Sequence, residues 1–142
     1  MFIGEYHHAI DEKGRLAIPV KFRSRLAKAV VTRGLDFCLV VYELKEWKRL
    51  ADKLAALPQS HADNRAFARL MLAGAMDVTV DGQGRVVVPE YLRDFAKLGR
   101  EVVIAGLYNR LEIWDKSAWA EYKSRTEKDS NQIAERLGEM GV

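Results

Sequence analysis

The nine residues Asp11 to Pro19, DEKGRLAIP, return at Asp81 to Pro89 as DGQGRVVVP. Both copies read D-x-x-G-R, three apolar residues and proline. An internal repeat constrains a fold more than any local propensity, because each copy is one supersecondary piece that must bury its apolar face against another. At an offset of 70 residues, Asp11, Gly14, Arg15, Pro19 and Arg23 coincide with Asp81, Gly84, Arg85, Pro89 and Arg93. Ile10, Leu16, Ile18 and Phe22 coincide with Val80, Val86, Val88 and Leu92. A two-residue insertion shifts the offset to 72, where Val30, Val31, Gly34, Leu35, Leu39 and Trp47 meet Val102, Val103, Gly106, Leu107, Leu111 and Trp119. The chain is therefore a tandem duplication, with one unit at residues 5–47 and a second at 76–119.

Within each unit the period is that of short strands around one small helical turn. Residues 5–11 and 15–19 alternate as strands about a glycine turn. Pro19 then ends the strand and suits the first turn of a short helix, PVKFRSRLAK. Two β-rich runs follow, AVVTRG and FCLVVY, matched in the second unit by EVVIAG and RLEIW. A unit of about 45 residues is too small to bury a good core alone, so two of them closing one shared barrel is the expected solution. The fold class is mainly β with helices (α+β).

The segments outside the units have helical spacing. In the linker, residues 48–75, LKEWKRLADKLAALP starts from the unit's end and puts Trp47, Leu50, Leu54 and Leu57 on one face, with Pro58 ending it. Ser60 is a candidate N-cap for the helix that follows. Asp115 is placed to cap a helix carrying Trp119 and Tyr122, which opens the tail at residues 120–142. Past residue 125 the tail is polar and is expected to fray or to dock on a neighbour. Trp47 and Trp119, at equivalent positions, read as core anchors or as seals of a subunit interface.

In the turn itself, Asp11 and Arg15 flank Glu12–Lys13–Gly14. Glycine at the third loop position fits the left-handed residue of a type I turn with a G1 bulge, and the aspartate is placed to accept turn N–H groups. Alternation sends Ile10, Leu16 and Ile18 inward and leaves Asp11 and Arg15 outward, opposite each other. An exposed cross-strand pair of this kind contributes only ~0.2–1 kcal/mol and on its own needs no function.

Charge separates the two copies. The whole chain carries 23 Lys and Arg against 20 Asp and Glu, which does not by itself imply a nucleic acid. From His8 to Leu26, however, Lys13, Arg15, Lys21, Arg23 and Arg25 face only two acids. From Val78 to Ala96, Arg85 and Arg93 face three. Clustered cations beside an exposed loop make a phosphate-binding footprint, so the first unit is the expected site, with Arg85 and Arg93 as weaker contacts. The first unit's last strand is also apolar on both faces (Cys38, Val40, Tyr42), which predicts that a linker helix or a neighbouring subunit covers it.

The pattern D-x-x-G-R-x-x-x-P-x-x-x-R resembles the SpoVT-AbrB, or swapped-hairpin, DNA-binding family. MFIGEY, IDEKGRLAIPVKFR, TRGLD and NRLEIW, in tandem with helices between and after the units, are similar to its two-unit transcriptional regulators. The resemblance implies two half-units pairing into one pseudo-twofold swapped-hairpin β-barrel. It also implies a ring-like homo-oligomer on double-stranded DNA, bound to direct repeats in the promoter of the division and cell-wall gene cluster. The relatives' DNA-contacting arginines correspond to Arg15 and Arg23; Asp11, Gly14, Asp81 and Gly84 are turn residues in both copies. His8 and Val78 stand where single-unit relatives often carry a basic residue, and Ser24 and Asp94 stand where they pair two arginines.

Other classes find little support in the residues. There is no H-E-x-x-H, phosphate-binding glycine loop or nucleophile elbow, so no enzyme, cofactor or small-molecule substrate is expected. His7 and His8, as strand neighbours, point to opposite faces and make a poor metal site. The single cysteine excludes an intrachain disulfide. The opening residues lack a signal peptide's apolar run and no stretch has ~18 continuous apolar residues, so a cytoplasmic protein without membrane partners is expected, and the resemblance implies association with the nucleoid. The alternative is an antitoxin-like or other protein-interaction module of the same fold, with DNA binding secondary.

Overall fold

The computed structural model describes residues 1–142. In the first unit, strands β1 (Phe2–Ala9) and β2 (Arg15–Ala17) precede a 3₁₀ turn at Val20–Phe22. Strands β3 (Lys28–Arg33) and β4 (Leu39–Glu43) complete it. Helices α1 (Leu44–Ala55) and α2 (Ala62–Ala68), the latter widening into a π turn at Arg69–Ala73, link it to the second unit. That unit repeats the plan as β5 (Met76–Thr79), β6 (Arg85–Val87), α3 (Glu90–Phe95), β7 (Glu101–Tyr108) and β8 (Leu111–Asp115). Helices α4 (Lys116–Lys128) and α5 (Ser130–Gly138) follow, so the polar tail is helical nearly to its end.

Six strands form one antiparallel sheet in the order β1-β7-β8-β4-β3-β5, and β2 and β6 form a separate two-stranded ribbon. Replacing each strand by its duplicate reads the sheet order backwards and returns the ribbon to itself. The pseudo-twofold axis therefore passes between β4 and β8 and through the Leu16–Val86 pair of the ribbon. The α+β class with two tandem half-units is as the sequence implies.

The pairing partners are not those of a simple hairpin. The turn at residues 11–15 closes, but only Ile10 and Leu16 bridge across it. β1 lies instead along β7, from Phe2 opposite Tyr108 to Ala9 opposite Glu101, and β5 lies along β3. A bulged turn sharpens the local twist and aims β2 away from β1, and the proline two residues past each ribbon strand stops the ladder from growing. Each edge strand is thus held by the other unit.

The helical turn after Pro19 is shorter than PVKFRSRLAK suggests: only Val20–Phe22 is helical, while the second unit forms a true α-turn there. Both prolines sit at the N-cap position, where φ is −50° and −58°. In the linker, α1 ends before Pro58 as expected, but His61 rather than Ser60 precedes α2 and makes no side-chain cap. Asp115 does cap α4, accepting the Ala118 N–H at 3.2 Å.

One core lies between sheet and ribbon. It takes Leu16 and Val86 from the ribbon, Phe22, Leu26, Leu92 and Ala96 from the helical turns, and the inward residues of the sheet, including Val31, Leu39, Ile104 and Ile113. The middle of the sheet's outer face is covered from within the chain. Thr32 donates its hydroxyl to the Met71 carbonyl of the π turn at 2.7 Å. Trp114 packs on Trp119 and Tyr122 of α4, with Cys38 and Val40 beside it. Trp47 stacks on Tyr42, so neither Trp47 nor Trp119 belongs to the main core; both are half-buried in the outer layer. No helix is long and apolar enough to cross a membrane.

Candidate nucleic-acid interface

Both D-x-x-G-R turns are built the same way. Gly14 N–H donates to the Asp11 carbonyl at 2.9 Å, Asp11 N–H donates to the Arg15 carbonyl at 3.1 Å, and Gly14 has φ +81°. That is the three-residue bulged turn, and Gly84, with φ +78°, completes its copy between Asp81 and Arg85. The aspartate organises each turn. Asp11 Oδ1 accepts the N–H groups of Lys13 (3.0 Å) and Arg15 (2.9 Å), and its Oδ2 accepts Arg15 Nε at 2.5 Å. Asp81 does the same for Gln83 and Arg85, with a longer 3.3 Å ion pair. The backbone N–H groups of Arg15 and Arg85 hold the respective carboxyls below the usual carboxylate range.

The ribbon places the two turns at opposite ends and both arginines on one surface. Arg15 faces Val87 and Ala17 faces Arg85, while the central Leu16–Val86 pair points into the core. Alternation then sets Arg15, Ala17, Arg85 and Val87 outward together, Val87 with 54% of its surface exposed. The two guanidiniums lie diagonally across an antiparallel pair, a spacing of roughly 7–8 Å between the backbone positions.

The arginines after the prolines cross between units. Arg23 donates Nε to the Ile18 carbonyl at 2.8 Å, and its guanidinium lies against Gly84, in the space a Cβ would occupy. Arg93 donates Nε to the Val88 carbonyl at 3.0 Å, reaches the Glu12 carbonyl at 3.4 Å, and lies against Gly14. The backbones follow: Ile18 N–H donates to the Gly84 carbonyl (2.9 Å), and Val88 N–H to the Gly14 carbonyl (2.7 Å). Gly14 and Gly84 are accordingly buried although they sit in exposed turns. Glycine is required there for the left-handed backbone and for this close approach.

The crossing redistributes the charge that the sequence groups by unit. Lys13 stands exposed at the first turn, whose helical neighbour is α3 of the second unit. That end of the ribbon has Lys13, Arg15, Arg93 and Arg100 against Asp11, Glu12 and Asp94. Lys21, exposed over the rings of Tyr6 and Phe22, and Arg23 belong to the other end, beside the second turn. There Lys21, Arg23 and Arg85 gather beside Asp81. His8 joins this end, its basicity lowered by burial and by the Arg23 guanidinium. Arg25 joins neither: it is ion-paired with Glu43 and stacked on Phe2, 4.1 Å from the ring centroid, at the start of a strand spanning roughly 25 Å. The single basic loop–helix patch of the first unit is thus divided, because sequence neighbours across Pro19 are not spatial neighbours. Nothing within one unit's sequence marks this; only the equal placement of Gly14, Arg23, Gly84 and Arg93 in the repeat hints at a crossed contact.

No three His, Cys, Asp or Glu side chains converge to hold a metal ion. Burial and the neighbouring Glu112 carboxyl push the Cys38 thiol far up, away from nucleophilic use.

The sequence itself has known relatives. The chain is 47% identical to the Transcriptional regulator MraZ of Caldanaerobacter subterraneus subsp. tengcongensis and 46% identical to that of Thermoanaerobacter sp. (strain X514). It is 48% identical to that of Pediococcus pentosaceus, and all three alignments run over 143 residues and cover both chains completely. The profile of the family described as "MraZ protein, putative antitoxin-like" matches twice, over residues 1–70 and 71–139. A doubled D-x-x-G-R turn, crossed strands and two tandem matches have one reading: the chain belongs to the MraZ family.

Proposed function

We propose that this protein regulates transcription by binding double-stranded DNA through the outer face of the β2–β6 ribbon. Arg15 and Arg85 would reach into the groove, Lys13 and Lys21 would take phosphates at the two ends, and the end bearing Lys21 and Arg85 would bind more strongly. The observation that carries this is the pair of outward arginines on a short, exposed two-stranded ribbon. A major groove about 12 Å wide admits such a ribbon, and arginine reads guanine edges bidentately. Three regulators of the same family, alike over their full length, support the role.

One ribbon offers few contacts, so useful affinity requires several copies on spaced sites. The family resemblance supplies the finer reading: a ring-like homo-oligomer on direct repeats in the promoter of the division and cell-wall gene cluster, in the cytoplasm and on the nucleoid. Fluorescence anisotropy on the DNA upstream of the protein's own gene, against a scrambled sequence at fixed salt, tests it. Arg15→Ala and Arg85→Ala should each lower the specific component, Arg85→Ala at least as much, and each lost phosphate contact should reduce the log–log salt slope by about 0.9. Equal affinity for both DNAs overturns the proposal.

A further inference from the structure

We infer that Arg23 and Arg93 are positioning residues acting in trans: each sets the turn of the other unit, so neither half holds a DNA-competent turn by itself. The DNA half of this inference rests on the function proposed above; the positioning half does not.

The geometry is reciprocal. Arg23 lies against Gly84 and Arg93 against Gly14, and each is anchored by Nε on the carbonyl of the residue just before its own unit's proline. That same residue donates its N–H to the opposite glycine, so side chain and backbone clasp one turn together. Asp11 and Asp81 already order their turns internally. What they leave free is the direction of the turn relative to the ribbon, and the crossing arginine supplies it. Both arginines are half-buried, unlike Lys13 and Lys21. The contact needs a flat group with a donor on its stem side. A lysine, a point charge with no Nε–H beside a planar fork, cannot replace it.

The first test uses no DNA. In two-dimensional amide NMR spectra of the full chain, Arg93→Ala should shift Glu12 to Arg15 and leave Gln83 to Arg85 in place. Arg23→Ala should do the reverse. Shifts confined to the altered residue's own unit, or spread equally over both turns, overturn the inference. Arg23→Lys and Arg93→Lys should reproduce the alanine shifts; restoration by lysine would show that charge alone suffices and would overturn it too. If an alanine variant does not fold, its lysine counterpart, which keeps stem and charge, carries the same comparison.

The second test is a double-mutant cycle on DNA. Arg23→Ala and Arg85→Ala should each lower affinity about tenfold, and the double variant by only about tenfold in all, not a hundredfold, because the first acts through the second. Multiplying losses would make Arg23 an independent DNA contact and overturn the positioning role. A crossed NMR pattern with DNA affinity untouched in every variant would uphold the trans contact and reject the DNA function.

Discussion

The two buried turn glycines and their exposed neighbour Gly82 make a graded test of the crossed architecture. Gly14, at φ +81°, would as alanine place its methyl onto the Val88 carbonyl oxygen, a backbone atom, with Arg93 Nε 3.0 Å away. The left-handed backbone alone costs a residue with a Cβ roughly 1–2 kcal/mol. Parting the Gly14 carbonyl from Val88 N–H, now at 2.7 Å, adds about 0.5–1.5 kcal/mol, and a displaced Arg93 adds to that. Gly14→Ala should therefore cost about 2–4 kcal/mol. Gly84→Ala meets the Arg23 guanidinium, a side chain that can swing aside, and should cost less, about 1–3 kcal/mol. Gly82 has open space around it and no left-handed backbone, so Gly82→Ala should be neutral or stabilise by up to about 1 kcal/mol. Urea unfolding followed by circular dichroism at one protein concentration reads the series. With m near 2 kcal/mol/M, Gly14→Ala moves the midpoint down by roughly 1–2 M while the slope holds. Gly14→Ala within about 0.5 kcal/mol of Gly82→Ala, or Gly84→Ala costlier than Gly14→Ala, would refute the reasoning.

Further outcomes follow from single groups. His8 is harder to protonate in the fold, so as pH falls through about 6.5 the unfolded chain takes protons first and stability drops. Thermal melts from pH 8 to 5 should show this slope, and His8→Gln should flatten it. Asp11 and Asp81 have depressed pKa values, so their contribution is present above the ordinary carboxylate range and lost as pH falls through the folded values; Asp11→Asn should remove part of the melting-temperature loss below pH 4. Asp115 caps α4 and also accepts Gly99 N–H at 3.0 Å, so Asp115→Ala should cost about 1–2 kcal/mol in urea unfolding. Cys38, buried and donating to the Leu35 carbonyl, should react with iodoacetamide roughly tenfold or more slowly in the native protein than in urea.

How much of this was legible in the sequence depends on the range of the interaction. The turn geometry of Asp11 and Gly14, the inward set Ile10, Leu16 and Ile18, and the Asp115 cap follow from residues within a few positions of one another. The partners of β1 and β2 do not. In a duplicated chain the same alternation satisfies a hairpin within one unit and a crossed pairing between two, because period 2 fixes which face is buried and not which strand lies alongside. The basic residues of the first unit are divided for the same reason. Lys13 and Lys21 are eight residues apart in sequence, yet β2 carries the chain from one end of the ribbon to the other between them. The outer aromatic layer was half legible: Cys38, Val40 and Tyr42 announced a covered face, but the expected linker helix or neighbouring subunit gives way to α4 over Cys38 and Val40, because β8 lies beside β4 and brings Trp114 with it.

The crossed arrangement also bears on why the repeats proposed as targets are direct. A symmetric dimer of single units presents two identical ends and fits a palindrome, since half-sites mirror the protein's twofold axis. Joining the units in one chain frees each position to differ from its copy. Lys21 meets Tyr91, Ser24 meets Asp94, and Glu12–Lys13 meets Gly82–Gln83. Because the clasp is crossed, these differences do not stay within units. They put Lys21 at one end of the ribbon, and Glu12, Lys13 and Asp94 at the other, so the first end is the more positive of the two. On the proposed function, a ribbon with one more and one less strongly attracting end has a direction on the duplex, and so does its site. Copies of such a protein side by side, all facing the same way, require sites repeated head to tail, and a palindromic target would force every second copy to bind by its weaker end.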